Sequence, residues 1–302
     1  MKKTAFLFPG QASQKVGMGK EFYESSPAAQ EIFSKADDIL GFKLSELCFH
    51  GPDNELTLTE NTQPALLVVS VIAFKLLGIE PLIAAGHSLG EYSALVAAGS
   101  LGFEDAVQLV HKRGRYMQEA VPVGTGAMAA LLGTSYENVQ KALENIKNGI
   151  VEIANWNSKG QIVISGEKEA VKQAVDSIEA VKSVLLPVSA PFHCKLMMSA
   201  QEKLSKDLDQ VEFQNLRFPI ISNADAEVIT DGKSARDALK RQVSSTVLWY
   251  QSMNILEMKN VDSVLELGCG KVLSGLMKRI SRRWKPRPLI LNAEDPQGLE
   301  KA

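Results

Sequence analysis

Cysteine is scarce in this chain. Cys48, Cys194 and Cys269 are widely spaced and form no metal-ligand pattern, which excludes a disulfide framework or a zinc module and points to reduced, mostly buried thiols. No apolar run approaches the roughly 18 to 20 residues that a bilayer-crossing helix needs, so no membrane span is expected. An excess of either charge is missing too: the net charge is -2, too balanced for a general nucleic-acid binder. There is no low-complexity segment and no long internal repeat. The start, from Met1 to Phe8, is faintly like a secretory signal, but its apolar run ends at Pro9-Gly10 without a suitable cleavage site, and a cytoplasmic protein is expected. What remains is an ordinary globular composition, 45% hydrophobic and 23% charged. Its 302 residues suffice for a sizeable core, in one large domain with an insertion or in two domains.

The most informative stretch is Gly86-His87-Ser88-Leu89-Gly90. An apolar run, Pro81 to Ala85, leads in, and a helix-prone run from Glu91 to Ala98 leads out, so the pentapeptide sits at a strand-to-helix junction. That is the setting of a nucleophile elbow, in which flanking glycines permit the sharp turn and the serine is held exposed at the top of a sheet. The amides at the start of the following helix can stabilise an oxyanion there. The competing reading is an ordinary tight turn with a solvent-facing serine.

Thr4 to Phe8 reads as a strand running into the polar loop Pro9-Gly10-Gln11-Ala12-Ser13-Gln14, where Gln11 is either a donor to a ligand or a cap on its own loop. Helical patterning follows from Glu21 to Leu40, then a polar loop around Gly51 to Asn54. A strongly apolar helix runs from Gln63 or Pro64 to Leu77, with Thr59, Asn61 and Thr62 available as caps. Phe103 to Ala120 has helical spacing and carries Arg113 and Arg115 around Gly114. A glycine there costs roughly 1 kcal/mol against alanine and needs a reason, either close packing or ligand approach. Arg113 is either a solvated surface charge or a ligand contact near the elbow.

Beyond the break at Pro122 to Gly126 the elements read β-α-β-β-α-β: strands Ala127 to Leu132, Val151 to Ala154, Gln161 to Ser165 and Ser183 to Val188, with helices Ser135 to Ile146 and Glu167 to Ala180. This is the ferredoxin-like split pattern, inserted into the larger unit. The chain returns through the proline-bounded approach Pro187 to His193. Of the four histidines, His87 adjoins the serine and its side chain should leave the turn in another direction, His111 lies on the arginine helix and His50 in a polar loop. By elimination His193 is the well-placed general base that a serine nucleophile needs near neutral pH. A strand from Phe218 to Ser222 and helices at Ser234 to Gln242 and Trp249 to Met258 come next. Ser263 to Leu267 is a strand entering Gly268-Cys269-Gly270 and a helix to Ile280. That glycine turn is similar to the first motif of S-adenosylmethionine-dependent methyltransferases, but the third glycine is missing and only 32 residues follow Gly270. A turn closing the sheet is the simpler reading. Six positive charges fall between Lys278 and Arg287 around Trp284, either a solvated face or a docking surface for something acidic.

Nine stretches then match one family in its own order: Phe8 to Gln14, Thr62 to Leu66, Gly86 to Ala94, Arg113 to Met117, Gly124 to Ala129, Asn155 to Ser158, Phe192-His193, Arg241-Gln242 and Gly268 to Leu273. The chain resembles the malonyl-CoA:acyl carrier protein transacylases of fatty acid synthesis and, slightly less closely, the free-standing acyltransferases of polyketide synthases. The resemblance implies an α/β-hydrolase-like large domain with a mostly parallel sheet (residues 1–124 and 191–302) and an inserted ferredoxin-like small subdomain (125–190). It implies that Ser88 is the nucleophile and His193 its base, with no carboxylate completing a triad; the backbone carbonyl of Gln242 would hold the imidazole instead. The amides of Gln11 and Leu89 would form the oxyanion hole, Arg113 would grip the free carboxylate of the malonyl group, and Met117 and Asn157 would line the pocket. Malonyl-CoA and an acyl carrier protein are the expected partners. No cofactor or metal is expected, and the chain is expected to be a monomer. Two departures stand out. Ala12 occupies a position where most members have glycine, and Phe192 resembles the phenylalanine of malonyl-selective polyketide acyltransferase domains. A serine esterase or thioesterase shares the elbow but has no need of Arg113, and a silent carrier-binding module would form no acyl adduct.

Overall fold

The computed structural model describes residues 3–188 and 190–302 and is a mixed α/β molecule with two sheets. Ser189, within the approach to His193, lies outside the described residues, as do Met1 and Lys2. The strands are β1 (Thr4–Phe8), β2 (Ile83–Gly86), β3 (Gly126–Leu132), β4 (Val151–Ser158), β5 (Gln161–Glu167), β6 (Lys182–Leu185), β7 (Ile220–Ile221), β8 (Val228–Ile229), β9 (Ser263–Leu267) and β10 (Leu289–Ala293). The larger sheet has the order β10-β9-β1-β2-β7-β8 and is parallel except where β8 pairs antiparallel with β7.

From Ala5 to Phe8 β1 is an unbroken apolar run because both faces of a parallel sheet are covered; β9 is buried along its whole length too, and its Glu266 accepts from the N–H groups of Leu273 and Ser274. Alternate residues of β1 enter opposite layers: Phe6 and Phe8 join the core beneath Thr59–Leu77, while Ala5 and Leu7 join the layer built on Trp249, Met253 and Leu276. β9 does not close the sheet, contrary to the expectation from its glycine turn. β10, half-exposed and unrecognised in the sequence, lies outside it.

The helix expected over Glu21 to Leu40 is two, Lys20–Ser25 and Pro27–Leu40. Ser26 is extended (φ -143°, ψ 120°), the conformation favoured before proline, and Pro27 opens the second helix. The long apolar helix starts at Thr59, earlier than expected, with Pro64 inside it. Proline cannot donate to the carbonyl four residues back, which is that of Glu60. The imidazole of His111 meets that oxygen at 2.9 Å and repairs the gap. Asn61 and Thr62 do not cap this helix; they donate to the carbonyls of Glu55 and Leu56, in the short helix Asp53–Leu56. The glycine in the Phe103–Glu119 helix is explained by packing: a Cβ on Gly114 would lie 2.5 Å from the Thr59 carbonyl oxygen.

The smaller sheet is antiparallel, in the order β4-β5-β3-β6. Its helices, Tyr136–Leu143 and Lys168–Ser177, cover one face and enclose a core of their own around Leu131, Ile164, Val171 and Ala174. β4 runs to Ser158, beyond its expected end at Ala154, and is stitched to the larger unit: Trp156 N–H donates to the Val247 carbonyl at 2.9 Å and Val247 N–H to that of Ala154 at 2.8 Å. No helix among the described residues is long and apolar enough to cross a membrane.

Candidate active site

Ser88 sits between β2 and the helix Gly90–Ala97, past the C-terminal end of the central parallel strands. Its φ of 52° lies in the left-handed region that side chains avoid. A Cβ on Gly86 would come within 1.9 Å of the Gly90 backbone, and one on Gly90 within 2.0 Å of the Phe8 carbonyl oxygen. Strand, turn, helix and the neighbouring β1 are therefore packed backbone to backbone, and only glycine fits. The strained turn is held on both sides: Ser88 N–H donates to Asn223 Oδ1 at 2.6 Å, and the Ser88 carbonyl accepts from Gln242 Nε2 at 2.9 Å.

The Ser88 hydroxyl lies 2.7 Å from His193 Nε2, and His193 Nδ1 lies 3.0 Å from the Gln242 carbonyl oxygen. A carbonyl only accepts, so Nδ1 carries the proton and Nε2 offers its lone pair to the hydroxyl. His193 is itself at φ 59° and is buried. Burial, reinforced by the charge of Arg113, pushes its imidazole down to about 3, so near neutral pH it is the unprotonated base. A carbonyl partner orients the ring without the charge that an aspartate would supply.

Arg113, on the helix Phe103–Glu119, is 1% exposed and not a surface charge. Nη1 donates to Gln63 Oε1 at 2.7 Å; Nη2 donates to Ser88 Oγ at 3.0 Å and to Gln242 Oε1 at 2.9 Å. The guanidinium carbon is 5.5 Å from the centre of the Tyr92 ring, and Nε is buried without a hydrogen-bond partner. All these partners are neutral. A buried cation so placed favours an incoming anion.

Serine, imidazole and guanidinium open into one cavity of about 140 Å³, whose wall includes Gln11, Leu89, Met117, Met128, Asn155 and Phe192. The structure thus brings Ser88, His193, Arg113, Gln11, Leu89 and Met117 together, with Gln242 behind them. Asn157 stands differently. It bonds His87 Nε2 at 2.8 Å, and from β4 it is Asn155 that reaches the cavity wall. Gln63, Asn223 and Glu91 had no individual signal in the sequence, since their partners lie tens of residues or more away; Gln63 and Glu91 fall inside matched stretches but are unremarkable there. Arg279, Arg282 and Arg283 line a separate cavity of about 750 Å³ that shares no residue with the serine's. Among the described residues no three His, Cys, Asp or Glu side chains are grouped to hold a metal.

A serine on a glycine elbow, facing a neutral imidazole beside a buried cation, is the equipment of a serine-dependent acyl transfer enzyme. The acyl transferase domain model matches residues 5–268, and the chain belongs to that family. It is 47% identical to the malonyl CoA-acyl carrier protein transacylase of Bacillus subtilis (strain 168), covering 100% of this chain and 96% of that one. To the enzyme of the same name from Escherichia coli (strain K12) it is 46% identical over 93% of each. Among solved structures it superposes on an acyl carrier protein S-malonyltransferase from Vibrio cholerae O1 biovar eltor with a TM-score of 0.95, at 41% identity over 99% of both chains. A malonyl-transacylase solved in complex with its type II polyketide synthase acyl carrier protein gives a TM-score of 0.95 at 40% identity, over 99% of this chain and 98% of that one.

Proposed function

We propose that this chain transfers a malonyl group from malonyl-CoA to the phosphopantetheine thiol of an acyl carrier protein. The observation that carries the reading is the buried guanidinium of Arg113, within hydrogen-bond distance of the Ser88 hydroxyl and held only by neutral partners. A malonyl thioester has its free carboxylate one methylene from the carbonyl carbon that serine attacks. A planar cation beside Oγ suits that short spacing, and a guanidinium pairs with a carboxylate through two parallel bonds.

In the first half-reaction Ser88 Oγ attacks the thioester carbonyl while His193 Nε2 takes its proton. The backbone N–H groups of Gln11 and Leu89 hold the oxyanion. Collapse of the intermediate breaks the carbon–sulfur bond, the departing CoA thiolate takes the proton from His193, and a malonyl-serine ester remains. In the second half-reaction His193 deprotonates the carrier's pantetheine thiol, the thiolate attacks the ester, and Ser88 recovers the proton as it leaves. Met117, Met128 and Phe192 give the methylene an apolar seat. No cofactor takes part, and the chain acts as a cytoplasmic monomer. The residue ranges 1–124 with 191–302, and 125–190, would be an α/β-hydrolase-like large domain and a ferredoxin-like subdomain, a division supported by the two separate sheets. The neighbour bound to a polyketide carrier keeps open a second reading, a trans-acting malonyl transferase of a polyketide synthase. Comparing transfer to fatty-acid and polyketide carriers separates the two.

The test is Arg113→Ala assayed with malonyl-CoA and acetyl-CoA. Removing one side of a buried charge pair should lower malonyl transfer by about a hundredfold to a thousandfold and leave acetyl transfer unchanged or improved. Equal losses for both substrates would remove the carboxylate clamp and favour an esterase-like site.

A further inference from the structure

Glu91 lies at the start of the helix that follows the elbow, is 0% exposed, and takes no part in the steps above. Its Oε2 accepts from Gln242 Nε2 at 2.7 Å and from Asn223 N–H at 3.0 Å, while Oε1 is buried without a partner. Those two partners are the groups that hold the reacting side chains. Gln242 gives its backbone carbonyl to His193, its Oε1 to Arg113 and its Nε2 to the Ser88 carbonyl. Asn223 takes the Ser88 N–H on Oδ1 and gives Nδ2 to the Gly86 carbonyl at 2.7 Å.

A side-chain amide has a donor end and an acceptor end, and only one orientation of Gln242 satisfies this arrangement. Turned over, its NH₂ would face the donors of Arg113 and its oxygen the Ser88 carbonyl and the carboxylate. A carboxylate accepts and does not donate, so an ionised Glu91 forbids the turn. Arg113, Gln242 and Glu91 thus form a chain of cation, oriented amide and anion.

We propose that Glu91 is a positioning residue for acyl transfer, the buried anion that locks the Gln242 amide and Asn223 and so keeps Ser88, His193 and Arg113 in one arrangement. The proposal rests on the malonyl-transfer function above. The charged and titratable groups facing Glu91 are Arg113, Tyr92 and Asp225, the last paired with Arg241. Burial, opposed by the bonds from Gln242 and Asn223 and by Arg113, pushes its carboxyl up to about 7, far above that of the imidazole. Below that value Glu91 is neutral and its grip on Gln242 weakens; above it the lock is charged. The lock therefore predicts that acylation slows as pH falls through neutrality, while burial and the charge of Arg113 keep His193 unprotonated there.

The experiment is single-turnover malonylation of the enzyme by malonyl-CoA from about pH 5.5 to 8.5, for wild type, Glu91→Gln and Glu91→Ala, with near-ultraviolet circular dichroism to establish that each variant is folded. The wild-type rate should fall to a lower plateau below about pH 7. Glu91→Gln keeps the shape and an acceptor oxygen but no charge, and should run roughly tenfold slower than wild type at pH 8, with no limb and little change in KM. Glu91→Ala should be slower still. A limb that persists in Glu91→Gln, or a Glu91→Gln rate equal to wild type, overturns the proposal, and so does a wild-type profile without a limb near pH 7, which needs no variant. A wild-type enzyme that never becomes malonylated fails at the level of the function instead.

Discussion

Ala12 holds its backbone at φ 79° one residue after Gln11, on the wall of the cavity that holds Ser88, and is exposed. A Cβ in this conformation costs about 1 to 2 kcal/mol. Glycine would relieve that cost but loses roughly 0.4 to 1 kcal/mol through the greater freedom of the unfolded chain. Strain is the larger of the two, so Ala12→Gly should stabilise the protein by about 0.5 to 1 kcal/mol. Urea unfolding measures it, and a lower midpoint would mean that the methyl group packs more than its exposure suggests. Single residues differed in how far they could be read from sequence. Ser88 announces itself through its own neighbours, and His193 through the shortage of other imidazoles. Arg113 was ambiguous as a helix arginine, because its burial depends on Gln63 and Gln242, 50 and 129 residues away. Glu91 and Asn223 lacked any local mark for the same reason: what defines them is contact across the fold.

At the level of elements, the junction of β2 with the helix Gly90–Ala97 is the least negotiable part of the molecule. Gly86→Ala would force a methyl group into the backbone of Gly90. No flexible side chain can yield there, so the expected cost is about 3 kcal/mol or more, seen as a large drop in the denaturation midpoint and loss of acylation. A variant with the wild-type midpoint would mean that the turn relaxes, and that its strain is not what presents Ser88. Elements with a dense local signal, β1, β2, β9 and the helices Phe103–Glu119 and Trp249–Met258, were legible in the sequence. Those depending on distant partners were not. Thr59–Leu77 begins ahead of a proline because His111 satisfies the carbonyl that Pro64 leaves unpaired. The short helix Asp53–Leu56 begins inside the stretch around Gly51 to Asn54 that reads as a polar loop, Leu44–His50 is too short to show a helical period, and β10 is a half-exposed edge strand with no clean alternation.

Across the whole molecule, the site is assembled from both sheets. The loops after β1 and β2 supply Gln11 and Ser88, the helices Thr59–Leu77, Phe103–Glu119 and Gly232–Gln242 supply Gln63, Arg113 and Gln242, and β4 of the smaller sheet brings Asn155 to the same cavity. The β-α-β-β-α-β order of the smaller unit was visible in the sequence, whereas the extension of β4 to Ser158 was not, because its last residues answer to Val247 and His87 and not to their own polarity. On the proposed reading, this assembly makes an ester on the Ser88 hydroxyl. Intact-mass measurement after mixing with malonyl-CoA should show a single malonyl increment on the wild-type chain and none on Ser88→Ala. An unmodified wild-type mass, or an increment that survives Ser88→Ala, would contradict the reading of Ser88 as the acyl carrier.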